Sequence, residues 1–177
     1  MKRVIERDAQ SLRARKFLMW LFVISSFMFF AALTSGFIVY TGGSVERGIK
    51  VAMPDVFKWS TAVILLSSFT MHRAYLAAKQ SAWRQQRRFL IFTMFLGAGF
   101  FALQLFAWQT LISQGVYFVN YNASQSFIYV FTGAHLLHIV LGLFFLGYTF
   151  WGSIRSIPQE HNLFRLEVTS IFWHFID

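Results

Sequence analysis

Two histidines three residues apart, His135 and His138, sit in an apolar run with no charged residue on either side of them for several turns. On a helix that spacing places both imidazoles on one face. Such a pair has three chemical uses: hydrogen bonding to hydroxyls or carbonyls of neighbouring helices, ligation of haem iron, copper or zinc, and a part in a proton or lipid-headgroup path. A second group closes the chain, Glu167, Trp173, His174 and Asp177. Glu167 and His174 are two helical turns apart and share a face, and Asp177 stands three residues after His174, where a carboxylate can fix an imidazole's tautomer. The plain structural use of this group is a satisfied polar seam holding the last helix to the one before it.

The inventory argues against a metal centre. The whole chain has five histidines, seven acidic residues and no cysteine, and most of the acids lie in the N-terminal tail or in loops. Two imidazoles on one helix face cannot sandwich a haem, so His72 or His174 would have to complete the ligand set from another helix. A proton relay across a membrane needs aligned carboxylates, and the four earlier apolar segments hold none in their interiors.

The elements that carry these residues are apolar helices. Hydrophobic residues make up 56% of 177 and charged residues 13%, and the mean hydropathy is +0.53. So little polar surface cannot enclose a water-soluble core of this size, which makes the bilayer the solvent. A hydrocarbon core of about 30 Å takes roughly 20 residues of helix. The pattern predicts an all-α integral membrane bundle, a single domain over 1–177, with five transmembrane helices at about 17–40, 56–78, 89–112, 125–152 and 163–177. The second is the weakest, since its uncharged stretch runs only from Trp59 to Met71 and Lys58, His72 and Arg73 must snorkel. The fifth is too short at Asp177 to cross completely, and the natural chain is expected to continue past it. Residues 1–16 fit an interfacial helix and a disordered anchor equally well, Ser124 reads as a helix N-cap, and Asn122-Ala123-Ser124 is a weak glycosylation match.

Net charge is +9, but the basic residues flank apolar runs, which points to membrane topology and away from nucleic acid. Lys and Arg number six in 1–16, three in 41–58, five in 72–88, none in 113–124 and two in 153–165. Alternate segments therefore hold thirteen against three. The positive-inside rule puts the N-terminus and the 72–88 loop on the cytoplasmic side, with the C-terminus opposite. Arg84, Arg87 and Arg88 then form a basic cytoplasmic surface suited to anionic headgroups.

The strings Thr132-Gly133-Ala134-His135…His138…Gly142 and Glu167…Trp173-His174-Phe175-Ile176-Asp177 resemble the two best-marked motifs of subunit III of the haem-copper respiratory oxidases, the cytochrome c oxidase subunit 3 family, in its short five-helix form. Met19 to Phe30 is similar to that family's first helix, and Leu103-Gln104-Leu105-Phe106-Ala107-Trp108 to its third. Two positions depart from it: Ser26 stands where many members have a buried Glu that carbodiimides modify, and Ala107 stands where a Glu is frequent.

The resemblance implies a subunit with no catalytic residue and no metal of its own, haem and copper being held by partner chains. It implies binding to the flank of the catalytic subunit I, with subunit II and a small subunit IV in the same complex, and bound phospholipid in a cleft. The expected role is support of proton uptake and of sustained turnover in a bacterial plasma membrane, ahead of a mitochondrial one. Within the family, an accessory subunit of a quinol oxidase or of a nitric-oxide reductase has the same form. From other classes, a small transporter or channel and a membrane haem or di-iron enzyme remain.

Overall fold

A computed structural model describes residues 2–43, 56–119, 123–155 and 157–177, with side chains from residue 10 onward. They form five α-helices: α1 (Lys2–Gly42), α2 (Val56–Lys79), α3 (Trp83–Ser113), α4 (Ala123–Ile154) and α5 (Gln159–Ile176). All five expected helices are present, and several are longer than their apolar stretches. Of the two forms open to the N-terminal tail it takes the helical one, and it runs on without a break as the first part of α1. No Gly or Pro occurs between Lys2 and Ser35, so nothing interrupts the helix where its surroundings turn polar. At 41 residues, α1 is about 60 Å long and outreaches a hydrocarbon core of about 30 Å. α3 likewise begins at Trp83, because the polar stretch Arg84–Arg88 is helical too. α4 begins at Ala123, which places Ser124 within its first turn and not at the N-cap. Tyr121 and Asn122 lie outside the described residues.

Two helices end in the same device. Ala82 N–H donates to the Ala77 carbonyl and Ser81 N–H to that of Ala78; Val116 N–H donates to Leu111 and Gly115 N–H to Ile112. Both are paired 6→1 and 5→2 bonds that satisfy the last carbonyls through a left-handed residue. Gly115 takes that conformation with φ 79°, while at the end of α2 it is Ser81, with φ 55°. Val116 then tucks against Leu111 and Ile128 in a small apolar cluster.

α2 packs on α3, α3 on α4, α4 on α5, and α5 back on α2, closing a ring of four helices; α1 lies outside it along α4 and α5. Small residues permit the close approach. Trp173 on α5 is fully buried and its ring lies between Gly97 of α3 and Gly142 of α4. A Cβ at Gly97 would meet the ring at 2.8 Å, and one at Gly142 also at 2.8 Å. The indole N–H donates to Ser67 Oγ of α2 at 3.1 Å. One side chain therefore touches all the other members of the ring.

Polar clamps hold the end of the bundle where α2 turns into α3. Gln86 and Asn162, both buried, exchange two amide hydrogen bonds of 3.1 and 3.0 Å between α3 and α5. Gln159 Nε2 donates to the Ala78 carbonyl. Arg87 donates to the carbonyl and hydroxyl of Ser153 at the end of α4. By length and composition, α1, α3 and α4 each suffice to cross a membrane.

The seat of Trp173 generates a prediction. Gly142→Ala overpacks the ring and lowers stability by about 1–3 kcal/mol, and Trp173→Phe loses an N–H bond worth about 1 kcal/mol together with ring contacts. The smaller phenyl relieves the clash, so the double variant is less destabilised than the sum of the two. Thermal unfolding in mild detergent reads this, and strict additivity would contradict the packing described.

Candidate functional site

The expected site residues separate into three places. His138, midway along α4, is engaged at both ring nitrogens: Nδ1–H donates to the Ala134 carbonyl at 2.8 Å, and Nε2 lies 3.2 Å from the Ser26 hydroxyl of α1. Phe22 and Phe30 flank the ring. The Ser26 hydroxyl thus satisfies His138 across the α1–α4 contact. His135 meets the edge of Phe100 of α3 with ring centroids 5.5 Å apart. The two imidazoles border a cavity of about 250 Å³ with Phe27 and Phe175. Of the three uses open to this pair, interhelical hydrogen bonding is the one that His138 makes.

The second group is not the seam expected. Glu167 pairs with Lys16 of α1 at 2.6 Å, and His174 Nδ1 lies 2.6 Å from Ser68 Oγ of α2. Glu167 and His174 do share a face, as their spacing requires, but that face looks away from α4 and towards the gap between α1 and α2. The α4–α5 contact is made instead by the buried Thr149–Thr169 hydroxyl pair at 2.9 Å and by Trp173. Nor does Asp177 bond His174: the exposed His174 ring is engaged by Ser68, while the Asp177 carboxyl oxygens are buried without a hydrogen bond to it. Ser68 has the nitrogen that Asp177 was expected to hold.

Ala107 is buried on the inner face of α3, one turn beyond Gln104. Gln104 Nε2 is buried without a hydrogen-bond partner among the described residues. Arg84 and Arg88 are exposed, but Arg87 is half-buried on Ser153 and belongs to the clamp, not to a free basic surface. Among the described residues, no three His, Cys, Asp or Glu side chains converge as a metal site would require.

A larger cavity, about 460 Å³, opens between α1, α4 and α5. Its walls include Phe22, Leu141 and Phe145, while Arg15, His161 and Arg165 stand at one end. Arg165 stacks on Tyr148 with its guanidinium carbon 4.4 Å from the ring centroid. A long apolar trough with cations at its mouth suits an acyl chain with an anionic head. Sequence reasoning missed Arg15 and Arg165, together with Ser67, Gln86 and Asn162. The signal available was an amide or hydroxyl recurring on the apolar face of its helix, which marks an interhelical bond in a membrane.

The Ser26–His138 bond is measurable. Single changes Ser26→Ala and His138→Ala and the double variant, compared by unfolding in detergent, are expected to show a coupling of about 0.5–1.5 kcal/mol, the range for hydrogen bonds between membrane helices. A coupling of zero would mean that the two side chains do not meet.

Residues 8–177 match the family model described as cytochrome c oxidase subunit III. The chain is 30% identical over 179 residues to the cytochrome c oxidase subunit 3 of Bacillus sp. (strain PS3), covering 97% of this chain and 84% of that one. It is 28% identical over 163 residues to the cytochrome c oxidase subunit 3 of Bacillus subtilis, covering 89% and 77%. To the cytochrome bo(3) ubiquinol oxidase subunit 3 of Pseudomonas aeruginosa it is 29% identical over 164 residues, covering 89% and 76%. With a family match that begins in the N-terminal part of α1 and runs through α5, the chain belongs to the cytochrome c oxidase subunit III family.

Proposed function

We propose that this chain is the subunit of a haem-copper terminal oxidase that holds none of the redox metals and braces the catalytic subunit within the membrane. The observation that carries the reading is the family match over residues 8–177. The geometry supports it from another side: His138, Glu167, His174 and Trp173 are engaged with neighbouring helices, an arrangement that serves assembly. The relatives include subunits of both cytochrome c and ubiquinol oxidases at similar identity, so the electron donor is a property of the catalytic partner.

In this reading the whole chain is one membrane domain with five spans. α2 and α5 cross because their polar groups face protein, as in Gln86–Asn162 and Trp173–Ser67. The thirteen-to-three division of basic residues supports a cytoplasmic N-terminus and α2–α3 turn. A bacterial plasma membrane is the proposed location, with subunits I, II and IV as partners. The trough between α1, α4 and α5 holds a phospholipid, its head beside Arg15 and Arg165 and its chain along Phe22 and Phe145. The exposed Arg84 and Arg88 add to the basic surface on the same side of the membrane. Lipid held there keeps the flank of the catalytic subunit sealed during turnover.

Purification in mild detergent tests the reading: a tagged chain is expected to bring down a haem- and copper-bearing catalytic subunit, and by itself to show no Soret band and no solute flux in liposomes. Iron bound by the isolated chain, or flux through it, would replace the reading with an enzyme or a transporter. A second measurement concerns the trough. Arg15→Gln with Arg165→Gln is expected to lower co-purifying anionic phospholipid at least twofold by mass spectrometry and to shorten the period of linear oxygen consumption; unchanged lipid content would remove the proposed site.

A further inference from the structure

The outer surfaces of the bundle differ in kind. On α3, Ile91, Phe92 and Phe95 point outward, and on α4, Leu137, Val140 and Phe144, each about half exposed or more. Those surfaces offer nothing that acyl chains cannot solvate. The surface made by α5 and the adjoining edge of α2 is different. His174 and His72 are both exposed there, with ring centroids 6.2 Å apart. His174 lies about 22 Å along α5 from its start at Gln159, well inside a helix that must lie in the bilayer if the chain spans it five times.

Ser68 engages one nitrogen of His174. The other nitrogen and the whole His72 ring need hydrogen-bond partners that hydrocarbon does not supply, and an exposed imidazole at that depth is costly. The same outward stripe of α5 carries Glu167, joined to Lys16, and Glu160 at its beginning. Polar groups therefore recur along this one surface from the helix start to His174, between apolar neighbours such as Phe69 and Ile171. That is the composition of a helix–helix interface in a membrane and not of a lipid-facing wall.

We propose that the α5 stripe with the adjoining edge of α2 is the surface that docks on the catalytic subunit, and that the helix it receives carries a carboxylate or hydroxyl against His72 and His174. This inference rests on the subunit III reading and specifies which face of the chain serves it. The α3 and α4 surfaces face lipid.

The test uses the assembled complex. Photoreactive p-benzoylphenylalanine replaces Phe69 or Ile171 on the proposed surface, and Phe95 or Phe144 on the other two; native membranes are irradiated and adducts identified by mass spectrometry. Crosslinks to the catalytic subunit are expected from positions 69 and 171 and not from 95 and 144. If the complex assembles but the catalytic subunit is captured only from 95 or 144, the docking surface is wrong while the subunit III reading stands. If no catalytic subunit accompanies any tagged chain, that reading falls and takes the surface with it. The hydrogen-bonding part has its own measurement. His72→Leu with His174→Leu is expected to reduce the co-purified catalytic subunit at least tenfold, and His72→Gln with His174→Gln to restore most of it, while the thermal midpoint of the isolated chain stays within a few degrees. Leucine variants that assemble as well as the original chain would overturn it.

Discussion

The indole of Trp173 makes two demands that few positions in a membrane bundle can meet together. Its ring needs neighbours without side chains, and its N–H needs an acceptor, because hydrocarbon provides none. Gly97 and Gly142 meet the first demand from α3 and α4, and Ser67 meets the second from α2. The ring of four helices closes around that single side chain. Moving any one helix either drives a glycine backbone into the ring or strands the N–H, so relative position and rotation are set together.

The remaining polar groups extend the same logic outward. Amides, hydroxyls and a guanidinium at one end, Thr149 with Thr169 in the middle, and Ser26 with His138 on the α1 side each join two helices. The membrane supplies no hydrophobic force between apolar helices, so packing and these bonds are what hold them. A bundle built this way presents apolar walls on α3 and α4, while the exposed imidazoles of His72 and His174 lie together on one surface.

The number, order and type of helices were legible in the sequence because apolar runs of membrane length are hard to read otherwise. Their ends were less so: α1 and α3 continue into charged residues, since helix formation does not stop where hydrophobicity does. The motifs contain Trp173, His138 and His174, which bond to neighbouring helices, but do not name their partners. Spacing along a helix shows what shares a face; it cannot show which neighbouring helix that face meets. Hence Glu167 was expected to turn towards α4 and instead holds Lys16 of α1, and the place of Asp177 beside His174 was taken by Ser68. Gly97 went unmarked and Gly142 stood only at the end of a motif string for a related reason, because a missing side chain signals only when the group that fills its space is known.

The account stands or falls on the seat of Trp173. Magic-angle-spinning NMR on chain reconstituted in lipid, with carbon-13 in its glycines and in its tryptophan rings, reads that seat directly. Short-range cross-peaks from the Trp173 ring to both Gly97 and Gly142 are predicted. A ring that contacts neither glycine, or only one of them, would contradict the closed four-helix ring from which the rest follows.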